Sequence, residues 1–138
     1  MHNSIISSIF AANLKSDIIM RYFKRISDRL LLQRLESMGA VLIEGPKWCG
    51  KTTTAAQQAQ SIIRLQDPDE RGNYDVIAKN RPSLFLQGNT PRLIDEWQDY
   101  PVICDAVRIE VDKRQLSGQF ILTGSNGVDE TQIRHSGT

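Results

Sequence analysis

Eight consecutive residues, Gly45-Pro46-Lys47-Trp48-Cys49-Gly50-Lys51-Thr52, constrain the chain more than any other stretch. They fit G-x-x-x-x-G-K-[ST], the phosphate-binding loop or Walker A pattern. Ala40-Val41-Leu42-Ile43-Glu44 before them is a short apolar run with β-branched residues and reads as a buried strand. Thr53 to Gln60 after them holds no Gly or Pro and reads as a helix. Strand, glycine loop and helix form the context in which this pattern has chemical meaning. Glycines at both ends let the backbone turn and approach a phosphate closely. The loop then aims several N–H groups into one concavity at a helix N-terminus. Lys51 would set its charge against the β- and γ-phosphates, and the Thr52 hydroxyl would ligate Mg²⁺. The expected nucleotide-binding set is Gly45, Pro46, Lys47, Trp48, Cys49, Gly50, Lys51, Thr52 and Thr53.

A second stretch supplies a partner for the loop. Arg92-Leu93-Ile94-Asp95-Glu96 is an apolar strand ending in two acids, the Walker B form. In a parallel α/β sheet the carboxyl ends of strands face the ligand crevice. Asp95 is therefore the second expected Mg²⁺ residue, and Glu96 is expected to position or deprotonate the attacking water. A further apolar run, Gln119 to Asn126, ends in small polar residues. In Walker-type ATPases with a catalytic glutamate, a strand beside the loop strand ends with a polar residue near the γ-phosphate. Ser125 or Asn126 fits that sensor role, with Thr123 the weaker candidate. The expected catalytic set is Lys51, Glu96, Ser125 and Asn126. A plain glycine-containing turn, with Ser and Asn satisfying local backbone groups, is the alternative for the last two.

The rest of the chain reads as scaffold. From Met20 to Met38, Tyr22, Ile26, Leu30, Leu31, Leu35 and Met38 recur at helical spacing, and Gly39 is placed as the C′ residue that stops the helix before the first strand. Ser61 to Gln66 reads as a second strand. Asp67-Pro68-Asp69-Glu70 has the cap, the proline and the acid of a helix start, with the helix running to about Lys79 before Asn80-Arg81-Pro82 breaks it. Tyr100 to Lys113 reads as a covering helix in which Arg108 and Asp112 are spaced to pair. Residues 1–19 are Ser-, Ile- and Asn-rich and are expected to be an N-terminal extension, with Met20 the functional start of a 20–138 domain. Ile5 to Ala12 resembles a signal-peptide core but lacks the basic flank such a signal needs.

Composition narrows the function classes. Among 138 residues, 17 Lys and Arg nearly balance 16 Asp and Glu, so no global field favours nucleic acid or an anionic membrane. No apolar run approaches the ~20 residues needed to span a bilayer. Cys49 and Cys104 have no metal-ligand spacing and read as reduced thiols of a cytoplasmic protein.

Five blocks in order resemble bacterial and archaeal AAA-type ATPases that carry a C-terminal domain of unknown function. They are Leu42 to Ala55, Pro91 to Gln98, Asp105 to Arg108, Gly118 to Ser125 and His135 to Thr138. The resemblance covers about Met20 to Thr138. It implies ATP with Mg²⁺, adenine over guanine, and a three-layer α/β fold with a mostly parallel sheet, the sensor strand lying between the loop and Walker B strands. Members of that family continue further, with Gly-Arg usually following the Gly-Thr. The expectation is therefore a C-terminally incomplete ATPase part, with hydrolysis more affected than binding, since a missing charge-stabilising arginine costs ~10³–10⁵ in rate in related phosphoryl transfers. A homo-oligomer or a protein partner fits this class. Two other classes stay open: a nucleotide-sensing module without turnover, and a small-molecule kinase, for which no Arg-rich lid is evident.

Overall fold

The computed structural model describes residues 28–46 and 50–125. Four α-helices and four β-strands alternate along them. They are α1 (Asp28–Ser37), β1 (Ala40–Gly45), α2 (Lys51–Gln58), β2 (Ser61–Arg64), α3 (Arg71–Asn80), β3 (Arg92–Asp95), α4 (Val102–Arg114) and β4 (Phe120–Ser125), with 3₁₀ turns at Pro68–Glu70, Pro82–Leu86 and Trp97–Asp99.

The strands form one parallel sheet in the order β1-β4-β3-β2. β4 thus lies between β1, which leads into the glycine loop, and β3, which ends at Asp95, as the resemblance implied. Register aligns Gly45 with Ser125, Thr123 with Asp95, and Asp95 with Arg64. The four carboxyl ends therefore share one edge, which is what brings residues distant in sequence to a common site.

Side-chain alternation along the strands divides the core between the two sheet faces. On one face, Val41, Ile43, Leu93 and Ile121 meet Leu31 and Leu35 of α1 and Ala55 of α2. On the other, Ile94, Phe120 and Leu122 meet Ile103 and Val107 of α4, together with Leu65, Phe85, Leu86 and Tyr100. The result is the expected three-layer α/β arrangement. Edge-on contacts of Tyr74 with Phe85 and Tyr100 seal the second face, with ring centroids 5.6 and 6.2 Å apart.

Several local expectations change. The second strand stops at Arg64, because Leu65 turns its side chain into the core while its N–H bonds to Asp95 O at 3.2 Å. Asp67 caps as expected, accepting from the Asp69 N–H at 3.0 Å, but it caps a 3₁₀ turn that leads into α3. Helix α4 begins at Val102, two residues after Tyr100. Arg108 pairs with Asp105, one turn earlier, instead of Asp112. Gly39 follows α1 without the positive φ of a left-handed C′ residue. Its requirement is steric, since a Cβ there would lie 2.3 Å from Val111 Cγ1. The portion of the first expected helix before Asp28, and residues 1–19, lie outside the described residues.

Candidate functional site

The site is built at the start of α2 and the carboxyl ends of β3 and β4. Gly50 precedes α2 with φ 91° and ψ 7°, a left-handed conformation that a residue with a Cβ adopts only under strain. Among the described residues nothing lies within 4 Å of where its Cβ would sit, so backbone conformation is the observed reason for glycine here. The turn delivers Lys51 and Thr52 as the first two residues of the helix.

Lys51 is buried, at 3 % exposure, yet three oxygens surround its ammonium. Nζ donates to Pro46 O and to Ser125 Oγ, both at 3.3 Å, and lies 3.5 Å from Glu96 Oε1. Glu96, 6 % exposed, lies just past β3 with φ 64° and ψ 56°, an uncommon region for a residue with a side chain. That turn swings its carboxylate across to β4. The Ser125 N–H donates to Oε2 at 3.2 Å, and Ser125 Oγ lies within 3.2 Å of both carboxylate oxygens. Charge pairing with several hydrogen bonds is the arrangement in which buried ions are tolerated.

A second knot lies beside the first. Thr52 Oγ1 and Thr123 Oγ1 each donate to Asp95 Oδ1 at 2.7 Å. The Thr123 hydroxyl also accepts from the Glu96 N–H at 3.1 Å, so it ties both acids to β4. Asp95 Oδ2 faces the exposed Arg64 at 3.9 Å. Burial pushes the Glu44 carboxyl, at the end of β1, above its ordinary value.

Gly50, Lys51, Thr52, Thr53, Gln66, Asp95 and Glu96 line a cavity of about 440 Å³ over these groups. Larger hollows of about 610 and 570 Å³ lie along α4, but neither borders Lys51, Asp95 or Glu96. Among the described residues no cluster of three or more His, Cys, Asp or Glu could cage a metal. Adjacent hydroxyl and carboxylate oxygens, one from Thr52 and one from Asp95, do suit Mg²⁺, which completes its shell with water and phosphate oxygens.

The structure therefore brings together Gly45, Pro46, Gly50, Lys51, Thr52, Thr53, Asp95, Glu96 and Ser125. Lys47, Trp48, Cys49 and Asn126 lie outside the described residues. Thr123, the weaker candidate by sequence, is fully buried and holds both acids. Gln66 and Gln98 had no assigned role; Gln66 lines the cavity and Gln98 donates to Glu96 Oε2 at 2.5 Å. Gln66 sits just past a strand's carboxyl end, where ligand crevices of parallel sheets form, and that rule was the available signal.

A parallel sheet between helices, with a glycine-turned lysine and a strand-end acid pair at its carboxyl edge, defines a phosphate-loop nucleotide-binding domain. The chain matches the sequence model of the family described as AAA domain over residues 37–136 and belongs to that family. No curated protein and no solved structure matches it in the corresponding comparisons. Among the described residues no helix is long and apolar enough to cross a membrane.

Proposed function

We propose that the chain binds ATP with Mg²⁺ in the cavity over Lys51 and hydrolyses it to ADP and inorganic phosphate. One observation carries this reading: the Lys51 ammonium and Glu96 carboxylate face each other at 3.5 Å across Ser125, beside the Thr52–Asp95 pair. This supports a place for the γ-phosphate between a cation that would stabilise its charge and a carboxylate that would handle water.

In that reading the arriving triphosphate replaces Glu96 as the counter-ion of Lys51. The freed carboxylate accepts a hydrogen bond from a water molecule. The water oxygen bonds to the γ-phosphorus while the bond from that phosphorus to the bridging oxygen breaks. The water's proton passes to Glu96 and then to solvent, leaving ADP and phosphate. Ser125 stays within reach of Lys51 and Glu96 and would sense the γ-phosphate. Thr52 and Asp95 would hold Mg²⁺, which when bound would neutralise charge developing on the phosphates. The cavity volume fits the phosphates and part of a nucleoside.

Phosphate release under Mg·ATP is the test. Wild type should release inorganic phosphate with no acceptor present, and Glu96→Gln should release it ~10²–10⁴ more slowly while retaining nucleotide binding. Wild-type release no faster than that of Glu96→Gln would refute hydrolysis and favour a nucleotide-sensing module. Phosphate appearing only on an added small molecule would favour a kinase.

A further inference from the structure

Glu96 has a hydrogen-bond donor that the proposed chemistry does not use. Gln98, two residues on, turns its carboxamide back so that Nε2 donates to Glu96 Oε2 at 2.5 Å. The reverse amide orientation would set its carbonyl oxygen against a carboxylate, so chemistry fixes Nε2 as the group facing Glu96. The other end of the amide, Oε1, is buried and has no hydrogen-bond partner among the described residues. Most buried side-chain polar atoms are hydrogen-bonded, so a buried amide met at one end only calls for an explanation. This one leaves its acceptor unmet while its donor meets the acid.

Its position is fixed sterically. Glycine at 124 leaves room beside β4, where a Cβ would lie 2.7 Å from Trp97 Nε1 and 3.3 Å from Gln98 Oε1. Trp97 and Gln98 thus sit against bare backbone of the same strand whose next residue, Ser125, contacts Glu96 from the other side. The Gln98 amide and the Ser125 N–H both donate to Oε2, while Oε1 faces Lys51 at 3.5 Å and the Ser125 hydroxyl at 3.2 Å.

We infer that Gln98 is a positioning residue for Glu96. Once a triphosphate has drawn Lys51 away, the Gln98 N–H holds one carboxylate oxygen so that the other faces the attacking water. The inference rests on the proposed hydrolysis and adds to it a residue that touches neither nucleotide nor water. Because Gln98 acts through Glu96, its removal should lower turnover and leave nucleotide affinity alone. A displaced catalytic group can cost as much as ~10² in rate.

The test is a double-mutant cycle on the full chain, with Mg·ATP turnover and Mg·ATP affinity measured separately. Gln98→Met keeps length and shape but removes the donor. Gln98→Glu keeps the shape and replaces the donor with an acid. Either variant, shown folded by its thermal transition, suffices. The expected result is a kcat reduced about 10- to 100-fold with Kd changed less than about twofold. In a Glu96→Gln background, the same substitution should produce no further loss. Wild-type kcat in a folded Gln98 variant would overturn the inference, as would equal losses in the two backgrounds or a parallel loss of affinity. Failure of the underlying reading looks different: wild type itself then turns over no faster than Glu96→Gln, and the inference falls with it.

Discussion

The hydroxyl of Thr123 donates to Asp95 Oδ1 at 2.7 Å and accepts from the backbone N–H of Glu96 at 3.1 Å. One fully buried side chain on the central strand β4 therefore sets the relative position of the two acids at the end of β3. Thr123→Val preserves shape and removes both interactions, stranding the buried Glu96 N–H and leaving Asp95 Oδ1 with Thr52 as its hydroxyl donor. We expect a loss of about 1–3 kcal/mol in unfolding free energy. Thr123→Ser, which keeps the hydroxyl, should lose about 1 kcal/mol for its missing methyl group. Urea denaturation of the three proteins checks this, and equal losses in the two variants would count against the hydrogen-bonding role.

Gly39 and Val111 give a second test. A Cβ at residue 39 would meet Val111 Cγ1 at 2.3 Å and Leu116 O at 3.3 Å, so Gly39→Ala should destabilise the chain by about 1–3 kcal/mol. Trimming the obstacle should relieve part of that cost. The double variant Gly39→Ala, Val111→Ala should therefore lose less than the sum of the single losses. Strict additivity would point to backbone conformation as the reason for glycine.

These two positions show why parts of the molecule were legible in the sequence and others were not. Gly45 to Thr52 and Asp95-Glu96 are local patterns whose chemistry depends on residue type and spacing. Strand β4 was visible as an apolar run, and its place between β1 and β3 came from resemblance to a known family. Thr123 looked weaker than Ser125 because its importance comes from register, which sets it beside Asp95. Gly39 marked the end of a helix correctly, but its physical requirement lies on α4, far along the chain. Arg108 has acids at helical spacing on either side, and which one it meets is a matter of side-chain conformation on an exposed helix face, where it meets Asp105. Gln98 lies within the resembling block Pro91 to Gln98, but its contact with Glu96 depends on Glu96 adopting a left-handed turn, which no sequence pattern shows.

Glu44 gives stability a pH dependence. Burial raises its carboxyl above the ordinary value of 4.5, so the folded chain favours the protonated form. The sign follows from linkage: its contribution is fully present below 4.5 and is lost as pH rises through the higher folded value. Glu44→Gln, which mimics the protonated group, should melt above wild type at pH 7, with the gap narrowing as the pH falls toward 4. A gap that is constant or widens in acid would contradict the assignment to Glu44.

The core on the α4 face supplies a prediction independent of the site. Phe85 is fully buried among Tyr74, Tyr100 and Leu86. Phe85→Ala should cost about 3–5 kcal/mol, enough to unfold much of a small domain at physiological temperature. Circular dichroism melting would detect it, and a loss under about 1 kcal/mol would show that this cluster collapses to fill the space.

The central claim is that Lys51 holds the phosphates of a nucleotide in the cavity over Thr52 and Asp95. Isothermal titration of Mg·ATP into wild type and into folded Lys51→Ala tests it most directly. Removing one charge-assisted contact of about 1.5–3 kcal/mol should weaken binding at least about tenfold, with wild type binding measurably. Equal, measurable binding by both proteins would contradict the claim.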